Sequence, residues 1–173
     1  MQIRPASPAD VPAVLPMVAK ICALHEAWDA AKYGFLPNPA QRYERWLVEQ
    51  ATGDRSVFLV AQSAAPHKQQ PGALVAFLVG TIETEIPIYR LQEYGFIHDL
   101  WVEPEERQSG LGRQLVEQAL HQFAQKGILQ VRLDTAIANE AARRLFQTCG
   151  FRPSTIELLA DVQALELPNS PTY

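Results

Sequence analysis

The feature that most constrains this chain is a glycine-containing loop between an apolar segment and an amphipathic helix. It reads Val102-Glu-Pro-Glu-Glu-Arg107-Gln-Ser-Gly110-Leu-Gly112-Arg113, and the helix is predicted from Gln114 to Lys126. The first N–H groups of a helix have no partners within it and lie at the positive end of its dipole. Phosphate groups bind well there. The two glycines would let an anion reach these donors, and the two arginines would add positive charge, so the loop is predicted to bind a pyrophosphate.

The letters around the loop disfavour two other phosphate-binding motifs. A dinucleotide fingerprint needs glycine or alanine at position 115, where this chain has Leu115. A nucleoside-triphosphate loop needs Gly-Lys followed by serine or threonine, which the loop lacks. A third interpretation stays open, in which the glycines merely turn the chain into the helix.

Composition limits the class of protein. The chain has 173 residues, 47% hydrophobic and 20% charged, which predicts a single domain over residues 1–173. Cys22 and Cys149 are too few for a disulfide framework and have no metal-ligand spacing, so we expect a cytoplasmic protein without a metal site. The longest apolar stretch that we count, Ala73 to Val79, is too short to cross a membrane. The net charge of −4 argues against a nucleic-acid partner.

Hydrophobic periodicity and turn residues predict an α/β fold with the order β-α-α-β-β-β-α-β-α-β. A crossover helix between two parallel strands would lie in the middle of a mixed, largely antiparallel sheet flanked by helices. The polar stretch from Ser63 to Gly72 is expected to be a surface loop. The predicted elements are a strand at Ile3–Pro5, a helix from Ser7 to about Glu26, a helix from Asn38, strands at Ser56–Gln62, Ala73–Glu83 and Gly95–Val102, the helix after the glycine loop, a strand at Leu129–Thr135, a helix at Asn139–Thr148 and a strand around Ser154–Leu159.

A second motif follows the fifth predicted strand. It reads Asn139-Glu-Ala-Ala142-Arg-Arg-Leu145-Phe146-Gln-Thr-Cys-Gly150-Phe151. Asn139 can cap a helix and Gly150 can end it. Together with Arg-x-x-Gly-x-Gly and the element order, this motif resembles the GNAT superfamily of acetyl-CoA-dependent N-acetyltransferases. The resemblance is strongest from Gly95 to Phe151, the expected cofactor-binding core.

The resemblance implies that acetyl-CoA lies where the fourth and fifth strands separate at a bulge. The pantetheine arm would pair with the fourth-strand backbone, and the pyrophosphate would bind the glycine loop. The implied cofactor-binding residues are Leu100, Trp101, Val102, Arg107, Gln108, Ser109, Gly110, Leu111, Gly112, Arg113, Asn139 and Phe146.

Two residues of the fourth strand are candidates for the chemistry. In some polyamine-acetylating relatives this strand reads Glu-Asp with the glutamate as base, and His98 occupies that glutamate's position. An alkylamine is almost wholly protonated near neutrality, so His98 could take its proton directly or through a water molecule. His98 could equally be a hydrogen-bonded sheet histidine. Asp99 is expected to be a structural or amine-binding carboxylate, on the opposite face unless a bulge intervenes.

The sequence leaves open which group protonates the departing thiolate. The superfamily often supplies a tyrosine as proton donor where this chain has Phe146. Either the thiolate leaves with little help, or another group donates a proton to it, or transfer is slow. The candidate proton donors are Tyr33, Tyr89, Tyr94 and, less favoured, Cys149.

Residues 20–55 and 83–94 are expected to form the acceptor side. Three carboxylates there could attract a cationic amine or simply be solvated: Glu83, Glu85 and Glu93.

These patterns predict an N-acetyltransferase acting on a small-molecule or peptide amine by direct attack on the thioester. Because superfamily members often form dimers, a homodimer is also expected. Two alternatives remain: a non-catalytic acyl-CoA-binding or sensing module, which Phe146 would permit, and a regulatory protein whose partner is another chain.

Overall fold

The computed structural model describes residues 1–63 and 72–162, which form one five-stranded sheet in the order β1-β2-β3-β4-β5 with helices on both faces. Neighbouring strands are antiparallel except for β4 and β5, which are parallel. The α/β class and the mixed, largely antiparallel sheet are therefore confirmed. The elements are β1 Gln2–Pro5, a 3-10 turn Pro8–Asp10, α1 Val11–Trp28, α2 Pro39–Thr52, β2 Ser56–Gln62, β3 Leu74–Thr84, β4 Glu93–Val102, a 3-10 turn Pro104–Glu106, α3 Leu111–Gln125, β5 Val131–Leu133 and α4 Glu140–Thr148.

Two apolar cores lie on the two faces of the sheet. Strand β3 serves both, because its side chains alternate: Phe77 and Val79 face α1 and α2, whereas Leu78 faces α3. Phe123 of α3 fills the second core and is fully buried. Because both faces of the sheet are covered, any polar side chain along β3 or β4 needs a partner or a cavity.

Helix α1 begins at Val11, four residues after the predicted start at Ser7. A 3-10 turn precedes it, and Asp10 accepts hydrogen bonds from the Ser7 backbone and hydroxyl and from Arg4. By length and composition the stretch Pro8–Trp28 could cross a membrane, which the count of consecutive apolar residues had not shown. One face of the helix is buried against the sheet: Val11, Val14, Met17, Val18 and Ile21. Helices that pack in a protein core can be as long and as apolar as helices that cross a membrane.

Other predictions about the elements are also wrong. Strand β5 covers only Val131–Leu133 of the predicted Leu129–Thr135. Ser154–Leu159 forms no strand; Ile156 and Leu158 point into solvent, since β5 has only three residues and offers little edge to pair with. The parallel pair therefore lies at the edge of the described sheet and not in its middle. Helix α3 begins at Leu111, three residues before the predicted start. The predicted loop from Ser63 to Gly72 lies mostly outside the described residues.

A bulge in β4 is the irregularity that shapes the site. Gly80 pairs with Ile97 and Val79 pairs with Asp99, so His98 is the extra residue on β4. A Cβ atom added to Gly80 would lie 2.7 Å from the Phe96 carbonyl oxygen and 3.0 Å from the Phe123 ring. Glycine at position 80 thus permits the close backbone approach that the bulge requires.

Replacing Gly80 with alanine is expected to lower the free energy of unfolding by about 1–3 kcal/mol, because the added methyl overpacks a closed site. Urea denaturation followed by circular dichroism measures this loss. Gly34→Ala is the control, since a Cβ there meets only an ordinary contact at 3.6 Å. Equal midpoints for the two variants would show that the bulge tolerates a side chain opposite it.

Candidate active site

The bulge directs two neighbouring polar side chains to the same face of the sheet. His98 contacts Trp46 of α2, and Asp99 accepts a hydrogen bond from Tyr43 of the same helix. In a regular strand these side chains would point in opposite directions. The condition attached to the prediction for Asp99 is therefore met, and both candidate residues face the α1–α2 side.

His98 contacts both aromatic and polar groups. Its ring makes edge contacts with Trp46 and Phe96, at centroid distances of 5.1 and 5.0 Å. Its Nε2 atom lies 2.6 Å from the Thr81 hydroxyl oxygen and 3.8 Å from Glu83 Oε1. Burial lowers the pKa of His98, and the Glu83 charge opposes that shift only in part. The imidazole is therefore neutral near pH 7 and able to accept a proton.

Asp99 is held by a tyrosine. The Tyr43 hydroxyl donates to Asp99 Oδ2 at 2.9 Å, and burial raises the pKa of the Asp99 carboxyl. Burial and the neighbouring carboxylate also raise the pKa of Tyr43, so its hydroxyl remains a donor. The contact favours a structural role for Asp99 over direct contact with an amine, and a part for Asp99 in the chemistry stays a prediction.

Removing the Tyr43 hydroxyl is expected to destabilise the fold in a pH-dependent way. In Tyr43→Phe the buried carboxylate loses its donor, at a cost of about 1–3 kcal/mol near pH 7. The folded-state pKa of Asp99 lies above its unfolded value, so stability falls as pH rises through it, and losing the donor raises that pKa further. The loss should therefore be smaller at pH 4, where more of the carboxyl is protonated.

Urea titrations at pH 4 and pH 7 measure this difference. Tyr89→Phe is the control, because Tyr89 is 52% exposed and should lose nothing measurable at either pH. A pH-independent loss in Tyr43→Phe would indicate that packing, and not the charge of Asp99, accounts for it.

Beyond the bulge, no strand of the described residues pairs with β4 on its β5 side. Strand β5 pairs with β4 only at Gly95, Phe96 and Ile97, while β4 continues to Val102. Leu100 and Val102 pack toward α3 and Trp101 packs toward α1, so only the backbone of this stretch faces the gap left by β5. The predicted separation of the fourth and fifth strands at a bulge is present, and pantetheine pairing with this backbone stays a prediction.

The glycine loop presents unpaired backbone donors. In the described part of the chain, the N–H groups from Gln108 to Arg113 have no protein acceptor, and the first helical bond runs from Gln114 N–H to the Gly110 carbonyl. Gly110 is the N-cap of α3 with φ of 84°, a left-handed conformation that favours glycine. Free donors at the start of a 15-residue helix are the arrangement that favours an anion, and pyrophosphate binding here stays a prediction.

The two arginines of the loop make other contacts. The Arg107 guanidinium lies 4.7 Å from the Trp101 ring centroid, and its Nε donates to the Val102 carbonyl at 3.0 Å. Arg113 donates to Glu117 one turn along α3. Both are on the rim of the glycine loop, and their contact with phosphate stays a prediction.

Helix α4 confirms the predicted cap. The Asn139 side-chain oxygen accepts from the Ala142 N–H at 3.1 Å, and Gly150 has φ of 90° beyond the helix end. Phe146 is 8% exposed and packs against Phe151, so it lines the core more than the gap beside β4. Burial raises the pKa of Cys149, in line with the sequence argument against a reactive thiol.

The three acceptor-side carboxylates differ. Glu85 is paired with Arg132 at 2.5 Å and Glu93 with Arg55 at 2.8 Å. Glu83 alone among them lies beside His98, through Thr81. Sequence reasoning missed Thr81 and Tyr43 as site residues, because their roles depend on strand pairing and helix packing. The one sequence feature that could have pointed to this region is Gly80, because a glycine inside a predicted strand is typical of a β-bulge.

The comparisons agree on one family. A sequence model of the acetyltransferase (GNAT) family matches residues 22–151. Mycothiol acetyltransferases from Thermobispora bispora and Kocuria rhizophila are 38% and 32% identical over 65 residues, which is 38% of this chain. The matched part is 22% of the length of each of these relatives.

Solved structures share the fold. A GCN5-related N-acetyltransferase from Ralstonia eutropha superposes with a TM-score of 0.69 at 21% identity, over 94% of this chain and 99% of that one. An aminoglycoside 6'-N-acetyltransferase from Acinetobacter haemolyticus has a TM-score of 0.65 at 18% identity, over 93% and 97%. At these identities the likeness concerns the fold alone.

Proposed function

The chain belongs to the acetyltransferase (GNAT) family, and we propose that it moves acetyl from acetyl-CoA to a primary amine by direct attack, with His98 as the base. One observation carries this proposal. The β4 bulge puts the neutral His98 imidazole at the point where β5 stops pairing with β4, on the strand that leads to the glycine loop. A base, a free strand edge and an anion site thus follow one another along the chain.

The residues present fit acetyl-CoA. The N–H groups from Gln108 to Arg113 would hold the pyrophosphate, with Arg107 and Arg113 adding charge at the rim. The backbone of Leu100 to Val102 offers donors and acceptors suited to an amide-rich arm, with the Val102 carbonyl already bonded to Arg107 Nε. Asn139 caps α4 and Phe146 lies within it, in the helix that follows β5 along the chain. When bound, acetyl-CoA supplies an activated acetyl group as a thioester.

His98 performs the proton transfer that amine attack requires. An alkylammonium with a pKa of about 10.4 must lose a proton before its nitrogen can attack. The His98 imidazole, neutral because burial lowers its pKa, accepts that proton. Trp46 and Phe96 each make an edge contact with the ring, and the His98 side chain remains 28% exposed.

The acceptor is proposed to be a cationic small molecule or peptide amine. Glu83 has a side chain 43% exposed beside His98, so it can favour a positive charge at this point. Phe146 has no hydroxyl and is buried, which leaves the departing sulfur without a donor from that position. We propose that the sulfur leaves as a thiolate and is protonated by solvent.

Thiol release from acetyl-CoA, measured over a panel of amines, tests the function. The panel contains polyamines, aminoglycosides, amino acids and a peptide with a free N-terminus, each with mass-spectrometric detection of the acetylated product. We expect amine-dependent release with at least one class. Tight acetyl-CoA binding without turnover on any amine would contradict the enzyme and favour the acyl-CoA-binding module.

A further inference from the structure

A short hydrogen-bonded chain connects Glu83 to His98. The Thr81 hydroxyl lies 2.5 Å from Glu83 Oε1 and 2.6 Å from His98 Nε2. Thr81 and Glu83 are two residues apart on β3, so their side chains share a face, and the β4 bulge brings His98 to that face. Thr81 is 9% exposed, so its hydroxyl depends on these two partners.

The direction of the chain follows from the donors available. An ionised carboxylate only accepts hydrogen bonds, and a threonine hydroxyl has a single proton. Thr81 therefore donates that proton to Glu83, and its oxygen must accept from His98. If Nε2 had no proton, two lone pairs would face each other at 2.6 Å in a half-buried place. The neutral imidazole consequently has its proton on Nε2.

The other ring nitrogen is then free. Within the part of the chain that the structure describes, His98 Nδ1 has no hydrogen-bond partner. Glu83 Oε1 is 3.8 Å from Nε2, too far for a direct bond, so Thr81 mediates the contact. The remaining ionisable groups near His98 are Asp99 and Tyr43, which are bonded to each other and not to the imidazole.

We propose that Thr81 and Glu83 are positioning residues that fix the tautomer of His98, so that Nδ1 is the atom that accepts the proton of the attacking amine. This rests on the proposed function. The ammonium N–H bond breaks, its proton goes to Nδ1, and the nitrogen lone pair forms the C–N bond as the C–S bond breaks. The electron pair of the broken C–S bond leaves with sulfur, which departs as a thiolate. The second ammonium proton goes to solvent, and solvent protonates the thiolate. No proton moves along Thr81, which only holds Nε2–H in place.

The tautomer can be measured without substrate. Nitrogen-15 NMR of protein labelled at histidine, with His98 assigned by its loss in His98→Gln, distinguishes protonated from unprotonated ring nitrogens. We expect a protonated Nε2 and an unprotonated Nδ1 in the neutral form, and averaging of the two in Thr81→Val. A proton on Nδ1 in the wild type, or an unchanged pattern in Thr81→Val, would overturn the proposal.

Turnover gives a second, independent readout. Thr81→Val, which keeps the shape of threonine but lacks the hydroxyl, is expected to lower kcat by up to about 10-fold, the effect of losing one neutral hydrogen bond. Thr81→Ser should restore most of it. Glu83→Gln should move the acid limb of the pH profile to lower pH, because the Glu83 charge raises the pKa of His98.

The possible failures can be separated. A wild-type protein that turns over no amine overturns the proposed function and, with it, the positioning role of Thr81 in turnover. A wild-type protein that is active but has Nδ1–H overturns the positioning proposal alone. Unrescued loss in Thr81→Ser, with the wild-type fold by circular dichroism, does the same.

Discussion

Replacing Gly110 with aspartate is expected to lower the affinity for CoA and acetyl-CoA by at least about 10-fold to 100-fold. One hydrogen bond to a charged group is worth about 1.5–3 kcal/mol, and each 1.4 kcal/mol is about tenfold in Kd. Gly110 is the N-cap of α3, so the side chain of an aspartate there would itself accept hydrogen bonds from the free N–H groups of the glycine loop. Its charge would also repel the pyrophosphate in the same place.

Gly110→Asn is the matched control. Asparagine and aspartate are similar in size, and both tolerate the left-handed conformation at position 110 better than other side chains do. The two variants therefore differ mainly in charge, and the asparagine variant should lose much less affinity. Isothermal titration calorimetry measures both, with thermal melting as a check of folding. Equal affinities for the two variants would mean that the helix start is not where the pyrophosphate binds.

Much of the fold was predictable because local patterns fixed it. Prolines and the Ser7–Asp10 capping box mark the start of α1, and Asn139 caps α4 as predicted. The free N–H groups of the glycine loop were predictable for the same reason, since the start of any helix leaves backbone donors without partners. Pyrophosphate binding there stays a prediction. Features that depend only on residues close together in the sequence, such as helix caps, could therefore be predicted from it.

Long-range pairing decided the rest. The segment Ser154–Leu159 has a composition typical of a strand, yet a strand forms only where a sheet edge is available to pair with it. Because β5 has only three residues, it offers too short an edge, and the segment stays unpaired. The face of Asp99 depended on a bulge that exists because Gly80 lies across from it on β3. Thr81 gains its contacts only once β3 and β4 are paired, so no spacing in the sequence indicated it.

Replacing His98 with glutamine is expected to lower turnover on an alkylamine about 100-fold to 10,000-fold near neutral pH, because glutamine cannot accept the ammonium proton. The affinity for acetyl-CoA should stay close to that of the wild type, since the glycine loop is untouched. The deficit should shrink as pH rises toward the pKa of the amine, about 10.4, because more of the amine is then already neutral. For the same reason, a weakly basic amine that is neutral at the assay pH should reduce the deficit.

His121→Gln is the matched control for this prediction. His121 is an exposed histidine of α3 whose Nε2 lies 3.0 Å from the Gln125 amide nitrogen, far along the helix from the glycine loop. Its loss should leave kcat, KM and the pH profile unchanged. A deficit in His98→Gln that is the same at every pH and for every amine would point to a packing role for the imidazole between Trp46 and Phe96. A deficit that closes as the amine becomes neutral is expected only if His98 removes the proton.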